Sequence, residues 1–359
     1  MNIADLTTIG WSEFFAANFE SYAEEGFTCG RVALEHKNLF RLYTQHGEVI
    51  AEIAGKLRHE ATSRRDLPAV GDWVVIRARP ESGRAMIHAV LPRRTSFARK
   101  IAGSRTEEQI VGANVDTVFL FTSLNQDFSL RRIERYLLIA WESGANPIII
   151  LSKSDLCDGV TGPIDEMQSV ARGVPIHAIS VVTGNGLQDI AQYFKRGQTV
   201  AFLGSSGVGK STLINHLTGF DRLKVQTVRE SDDRGKHTTT HRELVLLPSG
   251  GLVLDTPGMR ELQLWEGDDS LQLVFDDIEA LAARCFFSDC QHQDEPQCAV
   301  REALAAGEID AGRYESYEKL QKELNYVARR KDKLSEIAEK KKWKKLSRLA
   351  TERARLKRR

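Results

Sequence analysis

One segment constrains this chain more than any other: Gly204-Ser205-Ser206-Gly207-Val208-Gly209-Lys210-Ser211-Thr212. It follows an apolar run, Thr199 to Leu203, and opens an amphipathic stretch, Ser211 to Leu217, so a glycine-rich loop stands at a strand-to-helix turn. In that setting such a loop wraps phosphate. Glycines let successive backbone N–H groups curl round an anion, and the start of a helix adds a favourable field. Lys210 is then expected to reach the outer phosphates, and the Ser211 hydroxyl to ligate Mg²⁺. Downstream, Asp255-Thr256-Pro257-Gly258 closes another apolar run. A carboxylate there can hold Mg²⁺ through water while the Gly258 N–H senses a γ-phosphate.

The choice of purine rests on Ser152-Lys153-Ser154-Asp155, at the end of the apolar run Pro147 to Leu151. Guanine presents N1–H and N2–H₂ donors that the Asp155 carboxylate can accept together, and adenine has no matching pair. A site built for those donors rejects the analogue that leaves its carboxylate unpaired. The stem of Lys153 can lie over the purine face. One β-α step later come Ser180 and Val181, where a backbone N–H can meet guanine O6. GTP and GDP are therefore the expected ligands.

The rhythm around these motifs is βαβ. Strands are expected at Val115 to Phe121, Pro147 to Leu151, Val174 to Ile179 and Thr199 to Leu203, with helices at Leu130 to Glu142, Leu187 to Phe194 and from Lys210. Two further strands, Arg242 to Leu247 and Gly251 to Leu254, flank the turn at Ser249-Gly250. Such alternation builds a parallel sheet. Motif order is the unusual feature. In ordinary Ras-like GTPases the phosphate loop comes first, whereas here Asp155 and Ser180 precede Gly204 and Asp255 comes last. The domain is read as circularly permuted, a rearrangement tolerated because domain termini lie close together.

Before this domain, a helical leader with Trp11, Phe14, Phe15 and Phe19 precedes five β-rich runs: Gly26 to Leu34, Leu39 to His46, Glu48 to Leu57, Asp72 to Arg79 and Arg84 to Leu91. Five short strands suit a small barrel, the OB-fold being one candidate. Arg58, Arg64 and Arg65 belong either to an RNA-binding face or to solvated loops. After Leu264 the chain turns helical around Cys285-x₄-Cys290-x-His292-x₅-Cys298. Three thiolates and an imidazole suit tetrahedral Zn²⁺, and a closed four-ligand shell means one structural ion per chain. Cys29 and Cys157 lack such company and read as inert thiols.

The formal charge of +1 over 359 residues hides an asymmetry, because Arg329 to Arg359 carries 15 Lys+Arg against 4 Asp+Glu. That arm suits a polyanion, most simply nucleic acid, the alternative being a solvated tail. No apolar run approaches the roughly 20 residues that span a bilayer, and the N-terminus lacks a signal pattern. Five cysteines, three of them clustered, exclude a disulfide scaffold. A cytoplasmic monomer that touches no membrane is expected.

The permuted order, Arg234-Gly235-Lys236-His237-Thr238-Thr239-Thr240 ahead of Asp255-Thr256-Pro257-Gly258, and the cysteine-rich module together resemble the RsgA (YjeQ) family of small-subunit ribosome maturation GTPases. The resemblance covers nearly the whole chain. It implies an α/β fold in which a circularly permuted P-loop GTPase domain is flanked by an N-terminal OB-like β-barrel and a C-terminal α-helical zinc-binding domain. It also implies that the small ribosomal subunit and its rRNA are partners and that the subunit stimulates hydrolysis. One of Thr238, Thr239 and Thr240 would complete the Mg²⁺ shell, and Cys285, Cys290, His292 and Cys298 match the family's zinc ligands. The family usually has Asn or Thr where Ser152 stands, and the link from Lys100 to Gln109 is longer than usual. Met259 takes the place where many GTPases carry a water-orienting glutamine, so His237, His241 or the partner must orient water.

The expected division is leader and barrel 1–99, GTPase domain 100–264, zinc domain 265–328 and basic tail 329–359. Two rival functions stay open: a signalling GTPase acting on a protein partner, and a nucleotide-gated switch without turnover.

Overall fold

The computed structural model describes residues 5–36, 39–79, 84–100, 108–219, 242–255 and 268–329. The chain divides into two compact units, Met1–Gln263 and Leu264–Arg359.

Within the first unit, alternating side chains fold five strands into a barrel. These are β1 (Thr28–His36), β2 (Leu39–Thr44), β3 (Gly47–Ile53), β4 (Trp73–Arg79) and β5 (Arg84–Val90). They pair in the order β1-β2-β3-β5-β4, and β4 returns to β1. Closure removes the edges that an open sheet would expose. Val32, Phe40, Leu42, Ala51, Trp73 and Ile87 are all buried. The leader forms helix α1 (Glu13–Glu24), and Trp11 and Phe15 lie 4.6 and 5.8 Å from Trp73, ring to ring. Arg31 is buried behind them and donates to the carbonyls of Ile9 (2.6 Å), Asn114 (2.8 Å) and Gly71 (3.2 Å). One guanidinium thus joins the leader, the barrel and the start of the next domain. Desolvation pulls its pKa down to about 10, and the three carbonyl partners compensate its burial.

Two elements in and just after the barrel differ from the sequence expectation. The run Glu48 to Leu57 is strand only to Ile53; the chain then turns into helix α2 (Gly55–Glu60). The Ala54 N–H still donates to Ile87 at 2.9 Å, which ends the ladder. The supposed link between barrel and GTPase domain contains a hairpin, β6 (Ser96–Lys100) against β7 (Glu108–Ala113). Gly71, at φ +93°, packs so close to it that a Cβ would meet the Ala113 carbonyl oxygen at 2.1 Å.

The permuted domain runs β8 (Thr117–Ser123), α3 (Leu130–Ser143), β9 (Asn146–Ser152), α4 (Thr161–Val170), β10 (Ile176–Ile179), α5 (Leu187–Ile190), β11 (Thr199–Gly204), α6 (Lys210–Thr218), β12 (Glu243–Leu246) and β13 (Leu252–Asp255). The sheet order is β10-β9-β8-β11-β13-β12, parallel apart from β12. Every residue of β8 and β11 is buried, as expected of strands covered on both faces. Phe119, Phe121, Phe194 and Phe202 form the aromatic centre of the core, Phe119 and Phe202 stacking at 5.7 Å. β12 also pairs with β1 of the barrel, Leu34 opposite Glu243, so one sheet runs through both. Side chains reinforce the seam. Arg41 pairs with Glu243, the Tyr43 hydroxyl donates to the Leu244 carbonyl at 3.2 Å, and Arg242 lies 3.8 Å from Glu35.

The second unit is helical among its described residues: α7 (Asp268–Val274), α8 (Asp276–Ala282), α9 (Ala299–Ala306) and a helical stretch, 311–329. Phe275, Ile278, Val300, Tyr317 and Leu320 make its core. Arg313 stacks on Phe275 and grips Asp277 through two nitrogens at 2.7 and 2.8 Å.

Candidate nucleotide site and metal centre

Parallel pairing brings the C-terminal ends of β9, β10, β11 and β13 to one edge of the sheet, where open α/β sheets bind ligands. Those ends carry Ser152, Ser180, Gly204 and Asp255, so sequence motifs about 100 residues apart are assembled by topology alone. Each glycine of the phosphate loop has its own reason. A Cβ on Gly204 would meet Phe121 Cβ at 2.7 Å and its carbonyl oxygen at 2.9 Å. Gly207 and Gly209 hold φ +78° and +95°, the left-handed region that side chains resist. Val208 is buried as the loop's anchor, and Ser206 and Gly207 are exposed. Lys210 Nζ donates to the carbonyls of Gly204 (2.8 Å) and Ser205 (2.5 Å), which leaves the ammonium on the loop whose phosphate it would bind. Ser211 and Thr212, half-buried, open α6.

The base motif is tied to this loop by its first residue. Ser152 is 4% exposed, and its hydroxyl donates to the Val208 carbonyl at 2.7 Å. The serine that stands where the family resemblance implies Asn or Thr thus braces the phosphate loop. Beyond it, Lys153 takes the left-handed conformation at φ +58° and turns the chain outward into Ser154–Leu156, on which Asp155 is exposed. Ser180 is buried, and its hydroxyl accepts from the Thr183 N–H at 3.2 Å, shaping the turn that presents Val181. Thr238, Thr239, Thr240, His237, His241, Gly258 and Met259 lie outside the described residues.

Sequence reasoning missed two residues here. The Ser205 hydroxyl donates to Asp127, in the turn before α3, and accepts from Arg132, in the first turn of that helix. The only signal was the turn-forming run Asn125-Gln126-Asp127 before that helix, which carries no motif.

In the second unit, Cys285, Cys290, His292 and Cys298 bring their ligand atoms within 4.8 Å of one another. The Cys285 and Cys298 sulfurs are 3.8 Å apart, and His292 Nδ1 lies 3.6 and 3.4 Å from them. A tetrahedron with Zn–S of about 2.3 Å has S···S edges of about 3.8 Å, so the donor set fits zinc. His292 holds φ +58°, and Cys298 stands at the N-cap position of α9. The two cysteines outside this cluster differ in setting. Cys29 is buried, which pushes its thiol up to about 12, and Cys157 is half-buried beside the Gly159 carbonyl at 3.0 Å.

Against known proteins, residues 90–265 match the family model described as RsgA GTPase. The "Small ribosomal subunit biogenesis GTPase RsgA" of Opitutus terrae is 50% identical over 350 residues, covering 95% of both chains. The chain belongs to the RsgA GTPase family. A second relative, "Small ribosomal subunit biogenesis GTPase RsgA 1" of Oceanobacillus iheyensis, is 48% identical and covers 88% of this chain and 91% of its own. The crystal structure of YjeQ from Thermotoga maritima is similar at TM-score 0.61 and 29% identity, covering 83% of this chain and 98% of that one. YloQ, described as a circularly permuted GTPase, is similar at TM-score 0.59 and 25% identity, covering 85% and 96%. An ABC transporter model also matches residues 187–348, a span that contains the phosphate loop common to many nucleotide-binding proteins. The chain is accordingly a GTP hydrolase with a permuted P-loop domain, preceded by a five-stranded barrel and followed by a helical unit whose Cys₃His cluster could hold zinc. Among the described residues no helix is long and apolar enough to cross a membrane.

Proposed function

We propose that this GTPase acts on the small ribosomal subunit, binding its rRNA in the GTP state and leaving after hydrolysis, as a cytoplasmic monomer. One observation carries the reading. Base motif, phosphate loop and Asp255 meet at one sheet edge in permuted order, in a chain alike over almost its full length to relatives named as small ribosomal subunit biogenesis GTPases. The working division remains barrel 1–99, GTPase domain 100–264, zinc domain 265–328 and basic tail 329–359.

In this account Asp155 accepts the two guanine donors, Lys153 covers the base and the Val181 N–H meets O6. The N–H groups of Gly204 to Thr212 cradle the phosphates, and Lys210 leaves its two carbonyls for their outer oxygens. Mg²⁺, when bound, neutralises charge on the β- and γ-phosphate oxygens; Ser211, Asp255 and one of Thr238 to Thr240 are the residues to hold it. Gly258 senses the γ-phosphate. Met259 offers no hydrogen bond to water, so orientation of the attacking water falls to His237, His241 or the ribosomal partner. Zinc held by the Cys₃His cluster is structural, because four protein ligands leave no open position. The basic tail supplies phosphate contacts to RNA.

The test is co-sedimentation with purified small subunits. Retention is expected to be stronger with a non-hydrolysable GTP analogue than with GDP, and to weaken steeply with salt, less so after deletion of 329–359. Equal retention in both nucleotide states would contradict the proposal.

A further inference from the structure

Ser205 follows the first glycine of the phosphate loop, and its two ends do different things. Its carbonyl accepts from Lys210 Nζ at 2.5 Å, whereas its hydroxyl points away from the loop to the first turn of α3 and the turn before it. There it donates to Asp127 Oδ2 at 2.7 Å and accepts from Arg132 Nη1 at 3.1 Å. Arg132 Nη1 also reaches Asp127 Oδ1 at 2.6 Å and the Asp127 carbonyl at 3.1 Å. Asp127 is fixed in turn, since the Thr122 hydroxyl donates to its carbonyl at 3.0 Å and its own N–H donates to Asn125 Oδ1 at 3.0 Å. The side chains of Arg132 and Asp127 are 33% and 26% exposed.

An ion pair this accessible adds little to stability. Its position matters more. A carboxylate beside a loop that must admit a triphosphate repels the ligand unless a cation cancels it, and partial burial keeps that field from being fully screened.

We propose that Arg132 is a positioning residue for the phosphate loop: it neutralises Asp127 and, with it, holds Ser205 so that the loop meets the triphosphate in register. Arg132 acts through Asp127 and Ser205, not on the reacting atoms. The inference rests on nucleotide binding at the phosphate loop and is independent of the ribosomal partner.

The experiment is equilibrium binding of fluorescent GTP and GDP analogues to the full-length parent, Arg132→Ala, Arg132→Lys and the double variant Arg132→Ala/Asp127→Asn, with melting temperatures measured alongside. Arg132→Ala is expected to weaken GTP about tenfold and GDP only about threefold, because the more charged ligand feels the bared carboxylate more. Arg132→Lys keeps the charge and stays within about threefold of the parent, and the double variant regains most of the loss, all with little change in melting temperature. Unchanged binding by Arg132→Ala would overturn the inference. So would an equal loss of both nucleotides that neither Arg132→Lys nor the double variant relieves, the mark of a merely structural contact. Failure of the parent to bind either nucleotide would instead remove the nucleotide site beneath it.

Discussion

At the scale of single residues, the base motif separates two tasks that its sequence runs together. Asp155 is exposed at the tip of a short turn, ready to meet a ligand, while Ser152 is buried and spends its hydroxyl on Val208 of the phosphate loop. Substitutions should therefore differ in kind. Asp155→Asn should weaken GTP and move preference toward xanthine nucleotides, whose edge reverses one donor. Ser152→Ala should keep guanine selectivity and weaken all guanine nucleotides about five- to tenfold, since the Val208 carbonyl loses its partner. Competition binding with GTP, XTP and ATP distinguishes them, and a change of base preference in Ser152→Ala would contradict the division. The place of Asp155, just past the end of a buried strand, was legible in sequence, and its proposed guanine contact rests on ligand chemistry. The brace by Ser152 was not legible, because it depends on which strand ends lie side by side.

Elements with a strong period were read closely. The β8 and β11 strands carry the apolar runs Val118 to Phe121 and Val200 to Leu203, and α3 begins at Leu130 as expected. Less was legible where tertiary contacts decide. The β6–β7 hairpin places charged Arg99 and Glu108 among its few residues, so it reads as a linker, yet Phe97 and Val111 are buried in it. Helix α4 carries Gly162 and Pro163 in its first turn, which hid it within a polar run. The candidate metal centre lies at the other extreme. Four candidate ligands within 14 residues marked it in the sequence, and the fold adds only their convergence. Because three of these ligands sit in turns and only Cys298 stands at a helix N-cap, the ion should hold the segment between α8 and α9 together. Strong chelation of the full-length protein should lower helical content by the amount in Leu264–Arg359 while GTP binding persists. Elemental analysis of reduced, freshly purified protein should find about one zinc per chain. Absence of zinc, or chelation without loss of helix, would contradict a structural ion.

For the molecule as a whole, the continuous sheet matters most. β12 follows directly on the segment holding Thr238, Thr239 and Thr240, and it pairs with both β13 of the nucleotide domain and β1 of the barrel. Arg41, Tyr43 and Arg242 add side-chain bonds across that seam, and Arg31 ties the leader, the barrel and Asn114 into one buried node. If the segment before β12 responds to nucleotide as proposed, a barrel so joined to β12 would feel nucleotide state, and by linkage a partner held by the barrel would alter nucleotide affinity by the same factor. Circular permutation was visible from motif order, whereas this seam was not, since no sequence rule pairs residue 34 with residue 243. The central claim is that a slow GTPase is completed by its ribosomal partner, and it is tested most directly by GTP turnover measured against increasing concentrations of purified small ribosomal subunits. The account predicts a low rate alone that rises and saturates with subunit; a rate indifferent to the subunit would contradict it.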